Sequence, residues 1–330
     1  MTDGQLCTAG ETVTVRAPER WFGLLGQAAG GAVQPVGSAV EPTVLVEISQ
    51  QRAAFPLTGL RLVSRGAWSD GDRTVLANAG GSGFDLAVRA EPELLRVQAR
   101  YRPTTSLRAA NTALSARFAL LAGQILLHYP AIWRAGWRGR APLHVAAYVG
   151  PDGATMIAGP AGVGKSTLLA AAIRDGAAVT ADNLCVADGR DCYGVAEPLR
   201  LEPGRLAGPT GRDTSHGRSE QPMRGRLPSV RPDRILVLER APVTELGGIE
   251  PGLASRALVA GTYAAGELRR YWQLAALLAL ATGRGPAAAP VTAVAERFTD
   301  RLPCQLLRVG DGQRYDLLRI GRPARTEEAL

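Results

Sequence analysis

The sequence predicts an α/β fold, with a phosphate-loop nucleotide-binding core, an antiparallel β region before it and helices after it. Three observations lead there. The stretch from Gly159 to Thr167 fits G-x-x-x-x-G-K-[ST] at every fixed position. Residues 1–105 alternate apolar and polar in short runs broken by turn residues, and from residue 106 onward the apolar spacing becomes helical.

In chain order, the runs Thr43 to Ile48, Leu60 to Val63, Thr74 to Ala77, Phe84 to Val88 and Leu94 to Tyr101 read as strands. Asp70-Gly71-Asp72 and Gly80-Gly81-Ser82-Gly83 are the loop chemistry between them. A first domain of residues 1–105 follows, with a second over 106–330. Leu107, Leu114, Phe118, Leu121 and Ile125 share one helical face, so a long leading helix is expected over 106–128 and an end at Pro130. Leu143 to Val149 is an apolar strand containing His144.

The apolar residues Thr155 to Ala158 close a strand, and Leu168 to Ile173 continue a helix, which gives the glycine-rich stretch its strand–loop–helix context. Gly159, Gly162 and Gly164 free the backbone to turn N–H groups inward, with Pro160, Ala161 and Val163 between them, and Thr167 follows in the first helical turn. Lys165 is expected on the phosphates of ATP and Ser166 on Mg²⁺. Of 38 basic residues only Lys165 is lysine; the other 37 are arginine. A chain that writes arginine wherever either cation serves has kept a compact ammonium at the one place where a planar guanidinium fits poorly.

Gly176 ends that helix, and Ala177 to Ala181 is a buried strand that delivers Asp182 at its tip, placed to bind metal or take a proton from an attacking hydroxyl. Residues 204–234 form a Pro- and Gly-rich segment with arginines at 205, 212, 218, 224, 226, 231 and 234, read either as a lid over an acidic substrate or as a solvated loop. Arg234 to Glu239 gives a strand ending in a second acid, Glu239, ranked below Asp182. Helices are expected at about 252–265, 267–282 and 291–301, then a strand near 305–309.

Composition narrows the function classes. The formal charge of +8 comes without an aromatic-basic motif, so nucleic acid is not the expected partner. The longest apolar run, Leu274 to Ala281, is too short for a bilayer, and Met1 to Gln5 has no secretory character, so a cytoplasmic protein without membrane attachment is expected. Cys7, Cys185, Cys192 and Cys304 are too scattered for a metal centre and read as reduced thiols.

With His144, the glycine-rich loop and Asp182 in view, the chain resembles the HPr kinase/phosphorylase-like kinases. It most resembles the shorter members associated with lasso peptides and other ribosomally made, modified peptides. Leu143-His144 stands fifteen residues before Gly159, and Asp182 seventeen after Lys165. The resemblance spans roughly residues 107 to 310 and is strongest over 143–183. It implies an HPr kinase C-terminal-domain-like fold and an ATP- and Mg²⁺-dependent kinase acting on a Ser or Thr hydroxyl, with a small peptide as partner. It further implies Asp182 as the base, His144 beside it, Lys165 and Ser166 on phosphates and metal, and Asp182 as a second metal contact. Two departures stand out. The family's adjacent aspartates are here Asp182-Asn183, and the longer glycine-rich signature is replaced by Tyr193-Gly194 and Pro198-Leu199-Arg200. Three rival readings stand beside the peptide kinase: a kinase of free serine or another small metabolite, a nucleotide-binding scaffold with weakened catalysis, and a motor-type ATPase using Glu239.

Overall fold

A computed structural model describes residues 1–35, 40–201, 212–213, 219–223 and 225–310. Its first layer is a nine-stranded sheet. In spatial order the strands are Gln34–Pro35, Thr2–Thr8, Glu11–Ala17, Val44–Ser49, Leu95–Tyr101, Phe84–Ala90, Arg73–Leu76, Ala67–Ser69 and Arg61–Ser64. The five expected strands are all present. The sheet is nevertheless mixed, because Val44–Ser49 runs parallel to both of its neighbours. Apolar alternation reports which face is buried and is blind to the direction of the next strand. Here the helix Glu19–Ala28, unforeseen in the sequence, lies within the crossover that makes the parallel pair possible. Its Trp21 packs edge-on against Phe84, Tyr101 and Phe118, with ring centroids 5.1, 5.0 and 6.1 Å away.

The long leading helix is in fact a broken one. Thr104 caps Thr105–Ala113 by accepting from the Leu107 N–H, and the helix stops at Leu114, whose backbone (φ −111°, ψ 51°) is not helical. Asn111 ties this piece to the sheet through Ser82 O and the Tyr101 hydroxyl, and the next piece leaves at 106°. That second piece does not end at Pro130. It runs from Ser115 to Gly136 through a π-turn at Gln124–His128, whose wider hydrogen-bond spacing precedes the proline that lacks an N–H. Among the described residues no single helix is long and apolar enough to cross a membrane; this bent pair would be so only by summed length and composition.

The second layer is a six-stranded sheet in the order Ala178–Ala181, Ala146–Gly150, Gly153–Ala158, Arg234–Arg240, Cys304–Val309 and Glu245–Gly248. Its three middle-to-late strands, Gly153–Ala158, Arg234–Arg240 and Cys304–Val309, are mutually parallel. The helix Lys165–Arg174 packs on one face, through Leu168, Leu169 and Ala172, and the helices Pro251–Ala264 and Val291–Thr299 cover the other. These helices, with Arg269–Thr282, fall close to their expected ranges.

The expected strand 143–149 is split. Ala141–Leu143 belongs to a separate four-stranded sheet with Cys185–Ala187, Cys192–Gly194 and Ser229–Val230, while Ala146–Gly150 belongs to the six-stranded one. His144 and Val145 lie where the chain passes between sheets. Cys185 and Cys192 are buried free thiols in the smaller sheet, as the spacing suggested.

One apolar core joins the first sheet to the Ser115–Gly136 helices and to Val195, Ala196 and Tyr271. The contact is also polar. Ala9 N donates to Gly194 O at 2.9 Å, Ala196 N donates to Thr8 Oγ1 at 2.9 Å, and buried Glu11 accepts from Arg138 Nη1 at 2.7 Å. Of the expected Arg-rich segment, the side chains of Arg205, Arg212, Arg218 and Arg224 lie outside the description. Of the remaining three arginines, Arg226 donates to Thr180 O and Cys7 O and Arg234 to Thr155 Oγ1, both from half-buried positions, while Arg231 is exposed and pairs with Asp191 at the surface.

Candidate active site

The sheet delivers the site. Gly153–Ala158 ends directly in the glycine-rich loop, and Gly164, at φ 116°, turns the chain into the Lys165–Arg174 helix. No side chain caps that helix, so its first N–H groups are not taken up by a capping side chain. Gly159 is required twice over: its φ is 143°, and a Cβ there would come within 2.8 Å of Leu238 O on the neighbouring parallel strand. Pro160, Ala161 and Gly162 are exposed at the loop's crest, while Val163 anchors it in the core. Arg240, the last residue of its strand and three beyond Val237, where pairing with Gly153–Ala158 ends, donates to Gly162 O at 2.9 Å.

Lys165 is 6% exposed and folds back onto its own loop, with Nζ 2.7 Å from Gly159 O and 3.1 Å from Pro160 O. Burial lowers its pKa to about 8 despite the nearby negative charges of Asp182 and Glu267. Asp182 is 4% exposed at the tip of Ala178–Ala181. Its carboxylate hydrogen-bonds with the Ser166 side chain, and Oδ2 accepts from Arg200 N at 3.3 Å. Oδ1 is buried without a hydrogen-bond partner. Burial raises the Asp182 pKa to about 6, and the Ser166 bond only partly offsets it.

His144 bonds Asn183, the neighbour of Asp182. Its backbone N–H binds Thr262 Oγ1, Nδ1 is 3.1 Å from Gly261 O, and Nε2 is 2.9 Å from Asn183 Oδ1. Burial and the Lys165 charge both push the imidazole pKa down, so the ring is neutral and has a single N–H. With Nδ1–H donated to Gly261 O, Nε2 is an acceptor. It is satisfied by turning over the Asn183 amide, which also gives the buried, unpartnered Asn183 Nδ2 an acceptor. His144 therefore orients Asn183 and fastens the Pro251–Ala264 helix to the loop region; its ring nitrogens do not bond Asp182.

The site thus brings together the loop, Lys165, Ser166 and Asp182, with His144 behind them. Glu239 is exposed at the end of its strand. Four participants escaped sequence reasoning: Arg200, Arg240, Asn183 as the His144 partner, and Glu267, whose charge reaches Lys165, His144 and Arg200. In a chain with 37 arginines one more arginine is no signal, and Glu267 comes to the site only through the fold of the C-terminal helices.

An uncapped helix end, three glycines with positive φ, a loop lysine and an unpartnered buried carboxylate oxygen suit a phosphate chain with its cation. Among the described residues no group of three or more His, Cys, Asp or Glu could hold a metal by itself. No protein-family model matches the chain, and no curated protein matches it.

Proposed function

We propose that the protein is an ATP- and Mg²⁺-dependent kinase of the HPr kinase/phosphorylase-like type, which transfers the γ-phosphoryl group to a Ser or Thr hydroxyl on a small peptide. The observation that carries this reading is Asp182: a buried carboxylate with one free oxygen, bonded to Ser166 beside the loop that holds the only lysine. The peptide as acceptor comes from the family resemblance alone.

The chain's own groups divide the work. Lys165 exchanges two loop carbonyls for phosphate oxygens, and the loop amides add their dipoles, so negative charge is met by donors already in position. Mg²⁺, held by Ser166 and Asp182, would supply further charge neutralisation on the phosphates. Asp182, ionised above pH 6 yet more basic than an ordinary carboxylate, takes the hydroxyl proton on Oδ1. The acceptor oxygen forms its bond to the γ-phosphorus as the bond to the β-phosphate oxygen breaks, and ADP leaves. Asn183, where the family carries a second aspartate, adds no negative charge, so the deprotonation rests on Asp182.

Intact-mass analysis tests this: a precursor peptide from a neighbouring reading frame, incubated with the protein, ATP and Mg²⁺, should gain about 80 Da per phosphate. Free serine run alongside separates a metabolite kinase. Tight ATP binding with no transfer to either acceptor would instead support a nucleotide-binding scaffold, the reading that Asn183 favours.

A further inference from the structure

We propose that Glu197 is a positioning residue for the transfer: it holds the Arg200 guanidinium away from Asp182, so that Asp182 Oδ1 stays free for the acceptor hydroxyl. The hydroxyl rests on the kinase reading above; the placement of Arg200 does not.

Arg200 bonds Asp182 through its backbone. In the strand Leu199–Leu201 both leucines are buried in the core beside Leu168 and Leu169, so the Arg200 side chain leaves from the opposite face. Its N–H donates to Asp182 Oδ2 at 3.3 Å, while its guanidinium turns to two other carboxylates. Nη2 is 3.7 Å from Glu197 Oε1, and Nε is 3.6 Å from Glu220 Oε1. Among the described residues these are its ion pairs, yet its charge and that of Asp182 reach each other. Glu267 adds a fourth acid around the one guanidinium. Lys165 faces Asp182 and Arg226 faces Glu197, but loop and strand carbonyls hold both: Gly159 and Pro160 for the lysine, Thr180 and Cys7 for the arginine.

A guanidinium is a planar fork that grips a carboxylate best by both oxygens. Asp182, buried with Oδ1 unpartnered, is a carboxylate open to that grip, and Oδ1 so engaged could take no proton from a hydroxyl. Glu197 prevents it. Its carboxylate is buried, and Oε1 also lies 3.5 Å from Nδ1 of buried His128, whose Nε2 is 3.0 Å from Ala196 O. Ala196 N in turn donates to Thr8 Oγ1 in the first sheet. The anchor of the clamp is therefore the π-turn and the first layer, and the nucleotide loop has no part in it.

The clamp works by charge. Arg200 Nε, Glu197 Oε1 and His128 Nδ1 make no hydrogen bond and sit at ion-pair distance from their partners. With several acids around one guanidinium and no hydrogen bond fixing its choice, neutralising Glu197 shifts the cation toward the acids that remain, Asp182 among them.

The test is a charge cycle in the full-length protein, read first without nucleotide. In urea denaturation at pH 7.5, Asp182→Asn should raise the midpoint of the otherwise wild-type protein and lower it in the Glu197→Gln background, where the freed guanidinium has paired with Asp182. A change of the same sign in both backgrounds would overturn the proposal, whatever the protein does with ATP. The second measurement is single-turnover transfer with ATP, Mg²⁺ and the acceptor found by intact mass. Glu197→Gln should lose about tenfold or more in rate, and adding Arg200→Met, which deletes the guanidinium and keeps the backbone N–H, should return most of it. A double variant slower than Glu197→Gln alone would make Glu197 a packing residue and overturn the proposal. Glu11→Gln, a buried carboxylate at the layer contact outside this clamp, controls for lost stability. Should Glu197→Gln fail to fold, Glu220→Gln carries the same cycle with smaller effects of the same sign. No transfer by wild type to peptide or free serine would overturn the kinase reading and the catalytic part of Glu197, and the denaturation cycle would still decide where Arg200 is held.

Discussion

Two buried carboxylates, one in each layer, are treated in opposite ways. Glu11, at the start of the second strand of the first sheet, is 1% exposed; its Oε1 accepts from Arg138 at 2.7 Å with Arg140 at 3.8 Å, and its Oε2, like Asp182 Oδ1, has no hydrogen-bond partner. Asp182 is 4% exposed and receives only a hydroxyl and one backbone N–H, with Oδ1 left over. Each leaves one oxygen over; the difference is in the partner, guanidinium groups for Glu11 against a hydroxyl and an amide for Asp182, and a carboxylate bonded by neutral groups alone is the one whose proton affinity burial raises.

The contrast can be broken most sharply at Asp182. Asp182→Asn should lower phosphoryl transfer by at least a thousandfold in a single-turnover assay, and yet stabilise the protein. The sign follows from its pKa, about 6 when folded and near 3.8 when unfolded: the folded state prefers the neutral acid, and that preference is lost as pH rises through 6. Removing the charge should recover up to about 3 kcal/mol at pH 7.5 but only about 0.5 kcal/mol at pH 4, read from urea denaturation at both. Transfer by wild type should rise through pH 6. Lys165→Ala should cost about a hundredfold in ATP affinity by calorimetry. In wild type, affinity should fall above pH 8, where the ammonium is lost before the phosphates can hold it.

Glu11→Gln should do the reverse of the Asp182 change: about 2 kcal/mol less stability by denaturation, because charge-assisted bonds to half-exposed Arg138 and to Arg140 are weakened, with transfer per folded molecule retained. Trp21→Ala should cost a similar 3 to 5 kcal/mol through the hole left among Phe84, Tyr101 and Phe118, again without touching the chemistry. At the small end, Glu239→Gln should leave transfer within twofold, since that side chain is exposed; a large loss would revive the motor-type reading.

What the sequence disclosed depended on how local the physics was. The loop was legible because a lysine, a serine and glycines at fixed spacing serve one purpose, and Asp182 because a short apolar strand ends on it. Strand existence was legible from alternation, but Val44–Ser49 running parallel to its neighbours was not, because direction is set by the crossover and not by the strand. The break at Leu114 depends on Asn111 reaching Ser82 and Tyr101, partners at least ten residues away in sequence. The helix running on through Pro130 depends on a π-turn that leaves no mark in composition. That His144 meets Asn183 was not legible, for a strand pattern cannot show that the chain changes sheets at that residue.

The bonds from Ala9 to Gly194 and from Ala196 to Thr8 have a consequence for biosynthesis. The first strands emerge from the ribosome well before residues 194–196 exist, so the edge they will close must wait, uncovered, through much of translation. Long-range closure of this kind slows the final step of folding, and until residues 194–196 are made it leaves this hairpin open to aggregation.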